Sequence, residues 1–190
     1  MKDYASADQA SPNGFTLIDL MIALSILMLS ISIGVPSLNQ SLKRSEARAL
    51  QRTVSSALQF GRTYSLNSGK ITTVCGINQH YQCVRNGFKE IAAFIDHNKN
   101  GQIDPDENPL LVNEIQYQGQ LKLGASGNKT FISFDYRGFS KQAGSFIYCD
   151  PQYPALSGRV TISLPGRIYI ATDRDSDGIV KLVNGGNIEC

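Results

Sequence analysis

The chain has 190 residues, 42% of them hydrophobic and 18% charged, with 18 Lys and Arg against 16 Asp and Glu for a net charge of +2. Beyond its N-terminal segment roughly 120 residues remain, enough for one domain with one core but not for two. The mildly basic balance does not by itself imply a nucleic-acid partner.

The first fourteen residues are polar and end in Asn13-Gly14. From Phe15 to Val35 the chain is apolar, and its one charge is Asp19. A helix of about 20 such residues spans roughly 30 Å, the thickness of a bilayer's hydrocarbon core. Thr16, Ser25, Ser30 and Ser32 can bond back to helix carbonyls and so cost little. A carboxylate in hydrocarbon is costly unless it finds a partner. At a free helix N-terminus Asp19 would meet the positive end of the helix dipole and an α-ammonium. A secretory signal peptide does not fit, because the run continues past Pro36 and no A-x-A site closes it. A plain anchor explains neither the Gly14-Phe15 junction nor Asp19.

From Ser37 to about Asn67 the pattern stays helical. Ala47, Leu50, Val54, Ala57, Leu58, Gly61 and Ser65 recur at spacings of three and four on one face, with Arg48, Arg52 and Arg62 on others. Asn67-Ser68-Gly69 supplies the stop. The expected domain plan is a leader over 1–14, a transmembrane and assembly helix over 15–35, an amphipathic half-stem over 36–68 and a globular head over 69–190.

After Gly69 short β-type runs alternate with turn signals. The expected strands are Ile71–Cys75, Tyr81–Arg85, Ile91–Ile95, Leu110–Tyr117, Lys122–Leu123, Thr130–Phe134, Ser145–Cys149, Arg159–Leu164, Arg167–Thr172 and Val180–Val183. The fold class is α+β: a long N-terminal helix leading to an antiparallel, sandwich-like or strongly curved sheet packed on the helix. Four cysteines in an exported domain read as two disulfides. Cys75 and Cys83 flank a hairpin tip and form the natural local pair, leaving Cys149 with Cys190; the other two pairings stay open. Zinc is not expected, since there is no C-x-x-C and His80 and His97 fall in loops.

The segment Asp96-His-Asn98-Lys-Asn100-Gly101-Gln102-Ile103-Asp104-Pro-Asp106-Glu107 fits the calcium-loop template. Oxygen side chains stand at its first, third, fifth, ninth and twelfth places, glycine at the sixth and an aliphatic residue at the eighth. Calcium requires six to eight hard oxygens, and the candidate ligands are Asp96, Asn98, Asn100, Gln102, Asp104 and Glu107. The competing reading is an Asn/Asp/Gly turn bonded to its own backbone. Asp173, Asp175, Asp177 and Gly178 repeat half of the template, but Asn184 replaces its closing glutamate. An Asp-Gly turn explains that stretch. No cofactor is otherwise expected. No nucleophile motif or acid-base relay appears, so the chain reads as non-enzymatic.

Gly14-Phe15-Thr16-Leu17-Ile18-Asp19-Leu20 resembles the prepilin signature of type IV pilins and type II secretion pseudopilins. The order of later features is similar to the FimT/FimU and GspH group: an early hairpin, Phe94–Gly101, Phe134-Asp135-Tyr136-Arg137-Gly138, Phe146–Cys149, Gly166-Arg167 and a terminal cysteine. The resemblance implies cleavage between Gly14 and Phe15 by a prepilin peptidase and N-methylation of Phe15. It implies assembly with other minor pilins and a major pilin, or with pseudopilins. Asp19, where the group carries Glu, would pair with a neighbour's Phe15 ammonium. Lys43, Arg44, Arg48 and Arg52 follow the span and by charge alone would hold the C-terminus inside. The cysteines and the resemblance instead place the leader in the cytoplasm and the head in the periplasm, with the span in the inner membrane. The implied function is that of a minor pilin priming or capping a pilus, or of a GspH-like pseudopilin. DNA capture is the third reading, through Arg159, Arg167, Arg174 and Lys181. The Gly-Arg-x-Arg element that the resemblance implies for such receptors is replaced here by Gly166-Arg167-Ile168-Tyr169.

Overall fold

The computed structural model describes residues 16–171, apart from the side chains at 33, 34, 36, 37 and 154. The chain divides into two compact units, Met1–Ser41 and Leu42–Cys190. Helix α1, Leu17–Ser68, contributes to both. Its start is fixed by a reciprocal cap: Thr16 N–H and Oγ1–H donate to Asp19 Oδ2 at 3.1 and 2.8 Å, and Asp19 N–H donates to Thr16 Oγ1 at 3.3 Å. Thr16 therefore caps the helix rather than bonding back to a carbonyl. Ser25, Ser30 and Ser32 do bond back, to Met21, Ile26 and Leu29 carbonyls, each at 2.8 Å. The helix ends as expected, with Gly69 at φ +69° and its N–H on Ser65 O at 3.0 Å.

In the first unit the apolar side chains of α1 are exposed on every side, Leu17 at 77% and Met28 at 69%. Among the described residues no helix is long and apolar enough to cross a membrane.

In the second unit Ala47, Leu50, Val54, Ala57, Leu58, Gly61 and Ser65 are all buried, as their spacing requires. Nine strands follow: β1 Thr72–Ile77, β2 Cys83–Val84, β3 Glu90–Ile95, β4 Pro109–Glu114, β5 Gln120–Ala125, β6 Ile132–Phe134, β7 Gly144–Cys149, β8 Gly158–Ile162 and β9 Ile168–Ile170. They form two antiparallel sheets. In the first, β1 pairs with β3 along one edge and with β2 and β6 on the other, and β4 completes it beyond β3. The second runs β5-β7-β8-β9. The segment between β2 and β3 joins them, through Leu123 N–H on Arg85 O at 2.7 Å and Gly87 N–H on Leu121 O at 3.1 Å. The expected strand Val180–Val183 lies outside the described residues. The expected strand Tyr81–Arg85 is cut to Cys83–Val84 because Tyr81 takes φ +58° and the Asn78 side chain closes a turn on His80 and Gln82 N–H.

Period-two alternation gives the first sheet two buried faces. Val74, Ile91, Ala93, Ile132 and Phe134 join Leu50, Val54, Ala57 and Leu58 of α1 in the main core. Leu121, Leu123, Phe146, Tyr148, Val160 and Ile162 of the second sheet reach the same core. On the other face Cys75, Ile77, Ala92 and Phe94 form a second cluster with Cys83 and Phe131, against which Ile103 packs. Cys75 and Cys83 are disulfide-bonded. Cys149 is also disulfide-bonded, and its expected partner Cys190 lies outside the described residues.

Candidate functional site

The residues singled out by the sequence fall in separate places. Gly14 and Phe15, the expected cleavage junction, lie outside the described residues, and Asp19 is engaged in its own helix cap.

The loop after β3 brings most of its expected ligands together. Asp96 is 2% exposed; its Oδ2 accepts Gly101 N–H at 3.0 Å and Thr73 Oγ1–H at 2.9 Å, and Thr73 Oγ1 in turn lies 2.8 Å from Ser133 Oγ. Asp96 Oδ1 is buried without a hydrogen-bond partner. Asn98 Oδ1 accepts Asn100 N–H at 3.1 Å, and Asn100 Oδ1 accepts Gln102 N–H at 2.7 Å. The amides of Asn98 and Asn100 both donate to Asp104 Oδ2 at 2.8 Å. Glu107, also buried, accepts His97 N–H on Oε1 at 2.7 Å and Asp104 N–H on Oε2 at 3.4 Å. Gln102 turns away, its Oε1 accepting Cys83 N–H at 3.0 Å. Gly101 takes φ +75°, and a Cβ there would overlap the Phe131 ring, so both conformation and space require glycine. Among the described residues no group of three or more His, Cys, Asp and Glu side chains is placed to hold a metal ion. The donors in this loop are a mixture of carboxylate, amide and backbone oxygens.

The basic residues do not assemble in the same way. Arg159, on β8, is half-buried; burial lowers its pKa, and its Nε is sealed from solvent without a partner. Arg167 is exposed beside the Ser163–Gly166 turn, whose Gly166 has φ +76°. Arg174 and Lys181, with the acidic stretch from Asp173 to Asp177, lie outside the described residues.

Two positions escaped the sequence reading. Arg62 Nε donates to Gly138 O at 3.0 Å, so this residue ties α1 to the turn after β6 instead of facing solvent. Gln51 Nε2 donates to Tyr148 Oη across the core, and Tyr148 packs edge-on against Tyr117 with centroids 5.9 Å apart. Only the polarity of Gln51 near an apolar face could have hinted at this bond. A groove of about 680 Å³ lies between Asn86–Lys89 and Tyr117–Lys122, and its lining includes neither histidine nor aspartate or glutamate.

The family described as "Type II transport protein GspH" matches residues 50–166, from the amphipathic half of α1 to the turn before β9. The chain belongs to the GspH family. No curated protein sequence matches it. The GspH-type fold is similar to crystal structures of the type IV minor pilin FimU of Pseudomonas aeruginosa. One has a TM-score of 0.51 at 15% identity over 70% of this chain and 91% of that one. The minor pseudopilin EpsH of the Vibrio cholerae Type 2 Secretion System aligns at 13% identity with a TM-score of 0.45, covering 66% of this chain and 95% of that one. The α+β arrangement of one helix under antiparallel sheets is thus pilin-like.

Proposed function

We propose that this GspH-family chain is a minor type IV pilin of the FimU/FimT kind, a structural subunit that primes or caps a filament. A prepilin peptidase cuts between Gly14 and Phe15, and Phe15 is N-methylated. The helix from Phe15 to Val35 holds the subunit in the inner membrane with its head in the periplasm, then packs against other minor pilins and the major pilin. The observation that carries this reading is the exposure of Leu17, Ile18, Met21, Ile26, Met28 and Leu29 on all sides of one helix. Burying each such side chain is worth roughly 1.5–3 kcal/mol, so a helix apolar all round calls for lipid or for other helices.

Asp19 is the single charge in that surface. Once Phe15 is the terminus, a neighbour's ammonium neutralises the carboxylate and sets the axial register, a gain in specificity more than in stability. Asp19→Asn keeps an oxygen for the Thr16 cap and removes the charge; Asp19→Ala removes both. Both variants should be cleaved normally, as read by the mass of the membrane form, and both should be depleted from sheared filaments. Wild-type amounts of Asp19→Asn in the filaments would sink the charge-pairing role.

A second reading, a pseudopilin of type II secretion, is supported by the family description itself. Deleting the gene separates the two: surface filaments lost with secretion intact supports the pilin, and the reverse supports the pseudopilin. Both roles are structural and need no catalytic group. Of the residues expected for a nucleic-acid role, Arg167 is exposed and Arg159 half-buried, and Arg174 and Lys181 lie outside the described residues.

A further inference from the structure

We propose that the loop Asp96–Glu107 is a calcium site, which anchors the cover over the second face of the first sheet. The spacing of oxygen residues alone could equally describe a self-bonded turn, and much of the loop is in fact self-bonded. The distinguishing observation is Asp96 Oδ1, an oxygen of an almost fully buried carboxylate that receives no hydrogen bond. Its twin, Oδ2, is held by Gly101 N–H and by the Thr73 hydroxyl, so the carboxylate cannot turn away without breaking both. A buried polar atom without a partner is rare and costly, and an unmodified carboxylate oxygen accepts from a donor or binds a cation.

The other carboxylates of the loop accept backbone and amide N–H groups but are short of positive charge. Asp96, Asp104 and Glu107 are not clustered tightly enough to hold a metal by carboxylates alone, so the site needs the amide oxygens of Asn98 and Asn100 as well. Among the described residues no Lys or Arg pairs with any of these carboxylates; Glu107 has only His97 Nδ1, at 3.7 Å. Glu107 is as deeply buried as Asp96 and stands where the template places its closing ligand. Asn98 and Asn100 already converge on Asp104 Oδ2. A cation would take oxygens of these residues where amide hydrogens now meet the carboxylate. The left-handed Gly101 and the packing of Ile103 against the second cluster hold the loop in this turn. Mixed carboxylate and amide oxygens suit calcium, which tolerates irregular shells of six to eight oxygens at 2.3–2.6 Å, over magnesium, which demands a near-ideal octahedron.

The test is calorimetric titration of the full chain in detergent with calcium and, separately, magnesium, after stripping with EDTA. Calcium should bind at one site, with a dissociation constant of about 10⁻⁴–10⁻³ M as in extracellular modules, and magnesium at least tenfold more weakly. Glu107→Gln should weaken calcium at least tenfold. Should that buried substitution fail to fold, the half-exposed Asp104→Asn reports the same loss. The wild-type melting midpoint should rise with calcium, and that of either variant should rise less. No heat and coincident melting curves in EDTA and in about 10 mM calcium, far above that affinity range, would overturn the proposal. So would wild-type affinity in Asp104→Asn.

Discussion

Replacing Cys75 and Cys83 together by alanine isolates what the local disulfide contributes. The bridge closes a sequence separation of 8 residues. The chain-entropy relation assigns such a loop about 2.5 kcal/mol at 25 °C. Both sulfurs are also buried, Cys75 completely, among Ile77, Ala92, Phe94 and Phe131. Deleting them should add about 1 kcal/mol of lost packing. The expected cost is therefore about 3.5 kcal/mol, a large part of the 5–15 kcal/mol typical of a domain but not all of it. For a chain of this size that lowers the melting midpoint by roughly 7–14 °C. Tyrosine fluorescence during urea titration reads it directly, since the chain has 8 Tyr and no Trp. Alanine in place of a reducing agent is essential, because reduction would also open the bond at Cys149. The β1–β2 pairing should survive, since its register rests on backbone bonds at Gly76–Val84 and Ile77–Cys83. A double variant within about 0.5 kcal/mol of the wild type would refute the loop-closure argument.

Tyr148→Phe removes the hydroxyl that Gln51 reaches and leaves the edge-on contact with Tyr117 in place. The half-buried Gln51 amide can still find water, so the loss in urea-derived stability should be about 1 kcal/mol; a loss of several would mean that the bond is part of a wider network. Asp135 supplies a pH test. Burial pushes its carboxyl up, but bonds from the Arg137 side chain and from the Arg137 and Phe139 amides outweigh that, and its pKa sits below the ordinary value. A lowered folded-state pKa contributes stability that is fully present above the unfolded value, about 3.9, and is lost as pH falls through the folded one. Wild type should therefore exceed Asp135→Asn in urea midpoint at pH 7, with the gap closing below about pH 4. A gap that persists unchanged at pH 2–3 would refute the linkage.

Much of the head was legible because its signals are local. The buried face of α1 from Ala47 to Ser65 follows from a 3.6-residue period, and Gly69 ends the helix because only a left-handed residue caps it there. The described strands fall where β-branched and aromatic runs alternate with turn residues, and Cys75 and Cys83 pair because a hairpin tip keeps them close. The loop Asp96–Glu107 was visible as a template for the same reason: its ligands lie within twelve positions, and Gly101 is required by backbone conformation.

Other features depend on residues far apart in the chain, which no local pattern encodes. That β1 sits between β3 on one side and β2 and β6 on the other is a matter of register between residues as far apart as Thr72 and Phe134. Thr73 and Asp96 read as strand and loop residues until β1 and β3 bring them within a hydrogen bond of each other. Arg62 looks like a solvated helix charge until the turn after β6 offers it the Gly138 carbonyl. By itself the sequence determined the helix, most of the described strand segments, the local disulfide and the family, since each rests on the chemistry of near neighbours. Only the tertiary structure decided which faces are buried twice, which charge caps its own helix, and which buried carboxylate oxygen is left without a donor. Burial and hydrogen-bond satisfaction are set by packing between distant segments.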